Sequence, residues 1–292
     1  MGEDILIAKL ARCPVVTEIN GSFSDEHGPN KTVIHKLINN ILRYISNQSI
    51  LHSDQIVTVT LNLKKMIQDE LNISSEKIIV ITNGANLKLF HPAQKNLSCE
   101  RLGLPGDFNY ICFVGSLVSY QGVEHIIQAA PSILATFPDT RFLIVGDGPM
   151  KNEWVQLSHG IKVLDKFIFT GKVPYEKIPL YINASEICVV YKKPFKSGFS
   201  PLKLYEYMAC GKPVVASNVD GFEILEQLKA GSLVKPEDAN ELAKAIIKLL
   251  KDRQLREIMG RNGIEYVKTQ SWEAVTRKVE KVCEGVISRY KK

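Results

Sequence analysis

The sequence predicts an α/β protein built from two blocks of parallel βαβ units. Short apolar runs of strand length alternate with helix-length periodic segments, which is the pattern of parallel sheets crossed by helices. The runs fall into two series separated by a polar, turn-rich stretch, and 292 residues suggest about two domains. The strand-like runs end in glycine or a polar loop, where open α/β sheets receive ligands.

In chain order, PVVTEIN (14–20), QIVTVT (55–60) and IIVIT (78–82) are the strands of the first block, separated by helical stretches that include 31–50 and 61–71. Residues 83–109, NGANLKLFHPAQKNLSCERLGLPGDFN, carry Asn-Gly, two prolines and scattered polar side chains, and are expected to connect the blocks. YICFVG (110–115), RFLIVG (141–146), FIFTG (167–171), EICVVY (186–191) and PVVAS (213–217) are the strands of the second block, with SLVKP (232–236) as a sixth. A helix over 251–269 precedes a final one over about 272–289. Ser271 is a good N-cap for it, and Trp272, Val275, Val279, Val282, Val286 and Ile287 form an apolar face that needs burial.

Composition limits the class. With 45% apolar and 23% charged residues the chain is an ordinary globular one, able to bury sizeable cores. Its longest apolar runs, such as 187–190 and 213–216, fall far short of the roughly 20 residues that span a bilayer. The first residues, MGEDILIAKLARC, lack a cleavable signal pattern, so the expected location is the cytoplasm. Six cysteines (Cys13, Cys99, Cys112, Cys188, Cys210, Cys283) form no Cys-x-x-Cys pair and are expected to be buried free thiols, as in a reducing compartment. The formal charge of +6 is modest and dispersed, which does not call for nucleic acid and suits an anionic small ligand or an anionic membrane surface.

Residues 197–217, SGFSPLKLYEYMACGKPVVAS, hold one glutamate, Glu206, inside an apolar stretch. A carboxylate there costs folding free energy unless it is paired or accepts hydrogen bonds. Lys203 lies in the first turn of the same helix, so an (i, i+3) pair is one reading. The other divides the labour, with Lys203 and the helix N-terminus after Ser200 facing a diphosphate and Glu206 accepting from a ribose diol. Gly115, Gly146 and Gly148 mark two further strand ends where either a ligand or a tight turn needs glycine. The chain has no Asp-x-Asp, no His-Glu-x-x-His and no Cys/His cluster at ligand spacing, so no metal is expected. It also lacks Gly-x-Ser-x-Gly and a P-loop, which argues against serine hydrolases and P-loop nucleotidases. His27, beside Asp25 and Glu26, reads as a solvated loop residue.

Taken in order, NGANLKLFHP, FVGSLVSYQGVEHIIQAA, FLIVGDGPM, FTGKVPYEKIPLYINASEICVV, SPLKLYEYMACGKPVVAS, GSLVKPEDANELAKAI and SWEAV resemble the glycosyltransferase family 4 enzymes, which have the two-Rossmann-domain fold called GT-B. The resemblance covers nearly the whole chain. It implies transfer of a sugar from a nucleoside-diphosphate sugar, UDP- or GDP-linked, to an acceptor hydroxyl in glycan, glycolipid or polysaccharide synthesis. It further implies retention of anomeric configuration, no metal or cofactor, a site in the cleft between domains, and a glycan or lipid-linked acceptor that admits peripheral membrane contact. The family carries a Glu-x7-Glu pattern whose second member, the holder of the donor ribose, falls on Glu206. Phe199, Ser200, Pro201 and Leu202 fall on the loop whose backbone binds the diphosphate, and Gly171, Lys172 and Val173 on the edge where the base docks.

Several positions depart from that pattern. The first glutamate falls on Gly198, and the Arg and Lys that neutralise the diphosphate fall on Ser116 and Gln121. Lys203, aided by Lys192, Lys193 or Lys196, is expected to supply the counter-charge. The family's acceptor-side domain begins about four strands earlier, so the resemblance implies an incomplete N-terminal domain over 1–92, with a missing N-terminal half or a partner chain supplying the rest. It implies a nucleotide-sugar-binding domain over 93–270 and a helix over 271–292 returning to the N-terminal domain. Asn20 falls where some members carry an active-site histidine; it cannot titrate, so it is an acceptor-side candidate and not a general base. No catalytic residue is named. The leading expectation is a retaining glycosyltransferase, and the alternative is a catalytically impaired nucleotide-sugar-binding protein or a fragment of a split enzyme. A sugar-nucleotide epimerase of the same fold agrees less well with the motif order.

Overall fold

The computed structural model describes residues 8, 10–21, 33–194 and 196–290, with only the backbone of 33–36; His27 lies outside the described residues. The chain forms two compact units. One comprises Met1–Asn83, Phe195–Ser200 and Glu273–Lys292, and the other Gly84–Pro194 and Pro201–Trp272.

The first unit holds a three-stranded parallel sheet of β1 (Val16–Ile19), β2 (Gln55–Thr58) and β3 (Ile78–Val80), in that order, with Val16 opposite Gln55 and Ile56 opposite Ile78. α1 (Val33–His52) and α2 (Leu61–Leu71) connect the strands. α2 starts where the Thr60 side chain accepts from the Leu63 N–H, and it stops where Asn72 turns left-handed at φ 51°. Ile50, Ile56, Leu63, Ile67 and Ile78 pack on one face of the sheet. The other face holds Val57 and Ile81 against Val275, Val279 and Val282 of α11 (Trp272–Tyr290).

Two residues predicted on the buried face of α11 stay exposed, Trp272 at 38% and Ile287 at 43%. The buried seam follows 275, 279, 282 and 286, and Ile287 lies one residue, about 100° round the helix, beyond it. Among the described residues β1 pairs with β2 alone, leaving one edge unpaired. On α1, Leu37, Ile38, Ile41, Leu42, Tyr44 and Ile45 are exposed.

The second unit is a six-stranded parallel sheet of β4 (Asn109–Val114), β5 (Thr140–Val145), β6 (Phe167–Gly171), β7 (Ile187–Val190), β8 (Val214–Ser217) and β9 (Gly231–Val234). The spatial order is β6-β5-β4-β7-β8-β9, so the winding reverses between β4 and β7. In such sheets the ligand crevice opens at the carboxyl ends of the strands flanking the reversal. β4, β5, β7 and β8 are buried almost throughout, which is why they read as continuous apolar runs. Around them lie α3 (Lys95–Leu102), α4 (Val123–Thr136), α5 (Lys151–Gly160), α6 (Ile178–Ala184), α7 (Leu202–Ala209), α8 (Ile224–Gln227), α9 (Ala239–Lys251) and α10 (Arg253–Val267).

Residues 84–92, assigned to the first domain from sequence, belong to the second unit. The Ala85 N–H donates to the Gln270 carbonyl at 2.9 Å, and the Phe90 ring meets that of Tyr175 edge to face. The stretch read as a plain connection also contains α3. That helix is closed by Gly103 in the left-handed region (φ 67°), and Lys95 ties it to Glu186 at 2.6 Å. The helix read over 251–269 is α10, capped by Asp252, followed by a 3₁₀ turn over Lys268–Gln270.

Of the six cysteines, Cys99, Cys112, Cys188 and Cys210 are buried free thiols, whereas Cys13 is exposed and Cys283 half-buried. The expectation of burial therefore fails at those two, which sit in an exposed turn and on the flank of α11. Among the described residues no helix is long and apolar enough to cross a membrane.

Candidate functional site

The loops following β4 and β5 meet backbone to backbone. The Gly115 N–H donates to the Val145 carbonyl and the Leu117 N–H to that of Asp147, each at 2.9 Å. A Cβ on Gly146, at φ 136°, would run into the Gly115 carbonyl oxygen, and one on Gly148 would lie 2.5 Å from the Leu117 carbonyl oxygen. Those glycines are required by this close packing of two loops. Beside them a cavity of about 240 Å³ opens, lined among others by Gly115, Ser116, Gly146, Asp147, Lys172 and Val173. Asp147, which the motif reading passed over, stands between the two glycines of GDG and is exposed at the mouth.

At Gly115 the reason for glycine is different. Its φ is 149°, and the space a Cβ would need is filled by the Lys203 ammonium from α7. That ammonium donates to Gln121 Oε1 at 3.0 Å and lies 4.2 Å from the centre of the Phe113 ring. Lys203 thus bonds Gln121, and among the described residues no ion pair joins it to Glu206, so the (i, i+3) pairing does not form. Although the side chain as a whole is partly accessible, its charged end is enclosed. Burial, with Lys192 nearby, holds the ammonium well below the ordinary lysine range, against the opposing pull of Glu206.

Glu206 is 7% exposed, one turn further along α7. Its Oε1 accepts from the Tyr175 hydroxyl at 2.7 Å. Burial raises the carboxyl above its usual range, while the Tyr175 hydrogen bond and Lys203 draw it back. Tyr175 had no signal of its own in the sequence; it stands in a 3₁₀ turn, Tyr175–Lys177, just past the Lys172–Val173 lip of the cavity.

Four lysines offered themselves as counter-charges. Lys192 is 6% exposed after β7, lies 4.6 Å from the Tyr120 ring centre, and is brought down to about 8 by burial. Lys193 pairs with Glu124 at 3.6 Å, and Lys196 is exposed. Lys203 and Lys192 are therefore the pair at the reversal of the sheet.

The remaining candidates divide between the units. Pro201 caps α7 without a side-chain hydrogen bond and Leu202 opens that helix, 46% exposed. Gly198, Phe199 and Ser200 cluster with the first unit, where the Asn83 N–H donates to Ser200 Oγ at 3.1 Å and Asn83 Nδ2 to the Ser200 carbonyl at 2.7 Å. Asn20, also of the first unit, is exposed directly after β1. Among the described residues no three His, Cys, Asp or Glu side chains converge as a metal ion would need.

Comparison with known proteins adds a family. The model described as Glycosyl transferases group 1 matches residues 94–266. An uncharacterised glycosyltransferase of Methanocaldococcus jannaschii is 28% identical over 261 residues, covering 88% of this chain and 66% of its own length. The alpha-D-kanosaminyltransferase of Streptomyces kanamyceticus is 25% identical over 262 residues, covering 88% and 67%. The chain spans 66%, 60% and 45% of three Methanocaldococcus relatives, two thirds of their length or less. Among solved structures, Anabaena HepE in complex with UDP superposes with a TM-score of 0.81 at 20% identity, over 97% of this chain and 76% of its own. Sucrose-phosphate synthase from Thermosynechococcus elongatus gives 0.75 at 24% identity, over 99% and 72%.

Proposed function

Since the chain belongs to the glycosyl transferases group 1 family and has a GT-B-type α/β fold, we propose that it is a retaining glycosyltransferase that takes its sugar from a nucleoside-diphosphate donor, UDP- or GDP-linked. The observation that carries this reading is Glu206, a carboxylate 7% exposed, one α-helical turn from the enclosed Lys203 ammonium at the reversal of the sheet. A buried carboxylate and a partly buried cation that do not pair with each other suit a ligand carrying both hydrogen-bond donors and negative charge. A nucleoside diphosphate is such a ligand, with a vicinal diol that donates and phosphates that accept.

In this reading the diphosphate lies along Gly115 and Ser116 toward Lys203 and Lys192, the base docks at the Lys172–Val173 lip, and Glu206 receives the ribose diol. Pro201 and Leu202 bring the uncapped start of α7 to the phosphates. The bond from the anomeric carbon to the diphosphate breaks, the acceptor oxygen bonds to that carbon on the same face, and its proton passes to the departing phosphate oxygen. No protein base is required. The acceptor is a hydroxyl of a glycan or lipid-linked molecule; relatives named alpha-D-kanosaminyltransferase and D-inositol 3-phosphate glycosyltransferase support sugar transfer in general. UDP in a structural neighbour supports the donor class.

A second reading is a nucleotide-sugar-binding protein impaired in catalysis, or a part of a split enzyme. Gly198, Ser116 and Gln121 favour it, because each stands where the resemblance expects a charged side chain. Calorimetric titration with UDP, GDP, ADP and their sugars, on the parent and on Glu206→Ala, tests both. Binding selective for one nucleotide and lost in the variant supports the donor site, and sugar transfer measured beside it separates enzyme from binder. Absence of binding to every nucleotide overturns the donor site altogether.

A further inference from the structure

Resting on the reading of Glu206 as the acceptor of a ligand diol, we propose that Tyr175 is the positioning residue of the site, its hydroxyl aiming the Glu206 carboxylate and keeping it ready to accept. Tyr175 Oη lies 2.7 Å from Glu206 Oε1, and among the described residues it is the only side chain hydrogen-bonded to that carboxylate. The tyrosine is held from behind by Phe90, ring centroids 5.4 Å apart at 62°, yet its own side chain is 49% exposed. It stands two residues past Val173, which with Lys172 lines the cavity beside Gly115. One side chain thus joins the lip of the cavity to a buried carboxylate.

The chemistry favours positioning over obstruction. A carboxylate offers about four acceptor directions, and Tyr175 takes one on Oε1, so two remain on Oε2 and one on Oε1 for the two hydroxyls of a diol. An ionised carboxylate accepts from both hydroxyls. A protonated one spends an oxygen as donor and loses part of that capacity. The groups facing Glu206 act in different directions. Tyr175 from its 3₁₀ turn and Lys203 on the same helix favour the ionised form, burial opposes it, and Tyr207 and Cys210 of the α7 end, both held protonated by burial, add no charge. Lys192 acts on Lys203 more than on the carboxylate. Loss of the tyrosine hydroxyl removes the hydrogen bond on which the ionised form most directly relies.

The test is Tyr175→Phe, which keeps the ring on Phe90 and deletes the hydroxyl. Binding of UDP and GDP, each beside its 2′,3′-dideoxy counterpart, is measured from pH 5 to 9 on the parent, on Tyr175→Phe and on Glu206→Ala, with thermal melts confirming that each is folded. The expected result is an acid limb of ribonucleotide affinity shifted upward by about one pH unit or more in Tyr175→Phe, converging on the parent near pH 9, and no shift for the dideoxy ligands. Superimposable profiles of parent and Tyr175→Phe, or tighter binding by the variant, overturn the proposal. If the parent itself treats ribo and dideoxy ligands alike and Glu206→Ala changes nothing, the reading of Glu206 fails first and the positioning role with it.

Discussion

Replacing Lys203 by methionine isolates the charge at the reversal of the sheet while keeping a stem of similar length. In the parent, Nζ has Gln121 Oε1 at 3.0 Å and the Phe113 ring at 4.2 Å, with no carboxylate at ion-pair distance among the described residues. Its charge is therefore available to an anion. A charge-assisted contact with a phosphate is worth about 1.5 to 3 kcal/mol, so Lys203→Met is expected to raise the Kd for the bound nucleoside diphosphate by roughly tenfold to 150-fold. Burial holds this ammonium below the ordinary lysine range and a bound diphosphate would draw it back up, so proton uptake on binding is expected of the parent. Titration calorimetry at pH 7.5 in buffers of differing ionisation enthalpy reads both quantities. Equal Kd values and equal proton uptake in parent and variant would refute the assignment of Lys203 to the phosphates.

Two further predictions concern the frame of the site. A fall from 10.5 to about 8 at Lys192 corresponds to about 3 kcal/mol of pH-dependent stability. Because this folded value is depressed, the unfolded chain binds more protons between pH 8 and 10.5 and parent stability rises through that window. Lys192→Met, which cannot titrate, is therefore expected to lose that rise, its stability relative to the parent falling by about 3 kcal/mol between pH 7 and 10.5; urea midpoints at pH 7 and 10 with an unchanged difference would contradict it. Gly146→Ala combines a left-handed φ of 136° with a clash on the Gly115 carbonyl oxygen, and should cost about 2 to 5 kcal/mol. Gly160→Ala, with nothing within 4 Å, is the control expected within about 1 kcal/mol of the parent, and equal urea midpoints for the two would rule the clash out.

Legibility from sequence followed burial and locality. β4, β5, β7 and β8 are buried on both faces, so their apolar runs announced them, and the glycines that end β4 and β5 were visible as punctuation. α3 escaped because Gln94 makes no side-chain cap and its eight residues carry almost no apolar face; Gly103 and Pro105 were the stop signals that could have found it. The excursion of Phe195–Ser200 to the first unit, between flanks that stay in the second, leaves no periodic trace. Within the site the limit is sequence distance. Tyr175 and Glu206 are 31 residues apart and Gln121 and Lys203 82 apart, so neither contact can be read from local spacing.

One position that departs from the resemblance, Gln121, nonetheless fits the place of Lys203 against Gly115. Gly115 has no side chain, and the vacant space admits the Lys203 ammonium from α7. Gln121, where the resemblance expects a lysine, meets that ammonium with a neutral acceptor at 3.0 Å. A lysine at 121 would instead set a second ammonium against the first. At about 4 Å and an effective dielectric near 20, two like charges repel by about 4 kcal/mol.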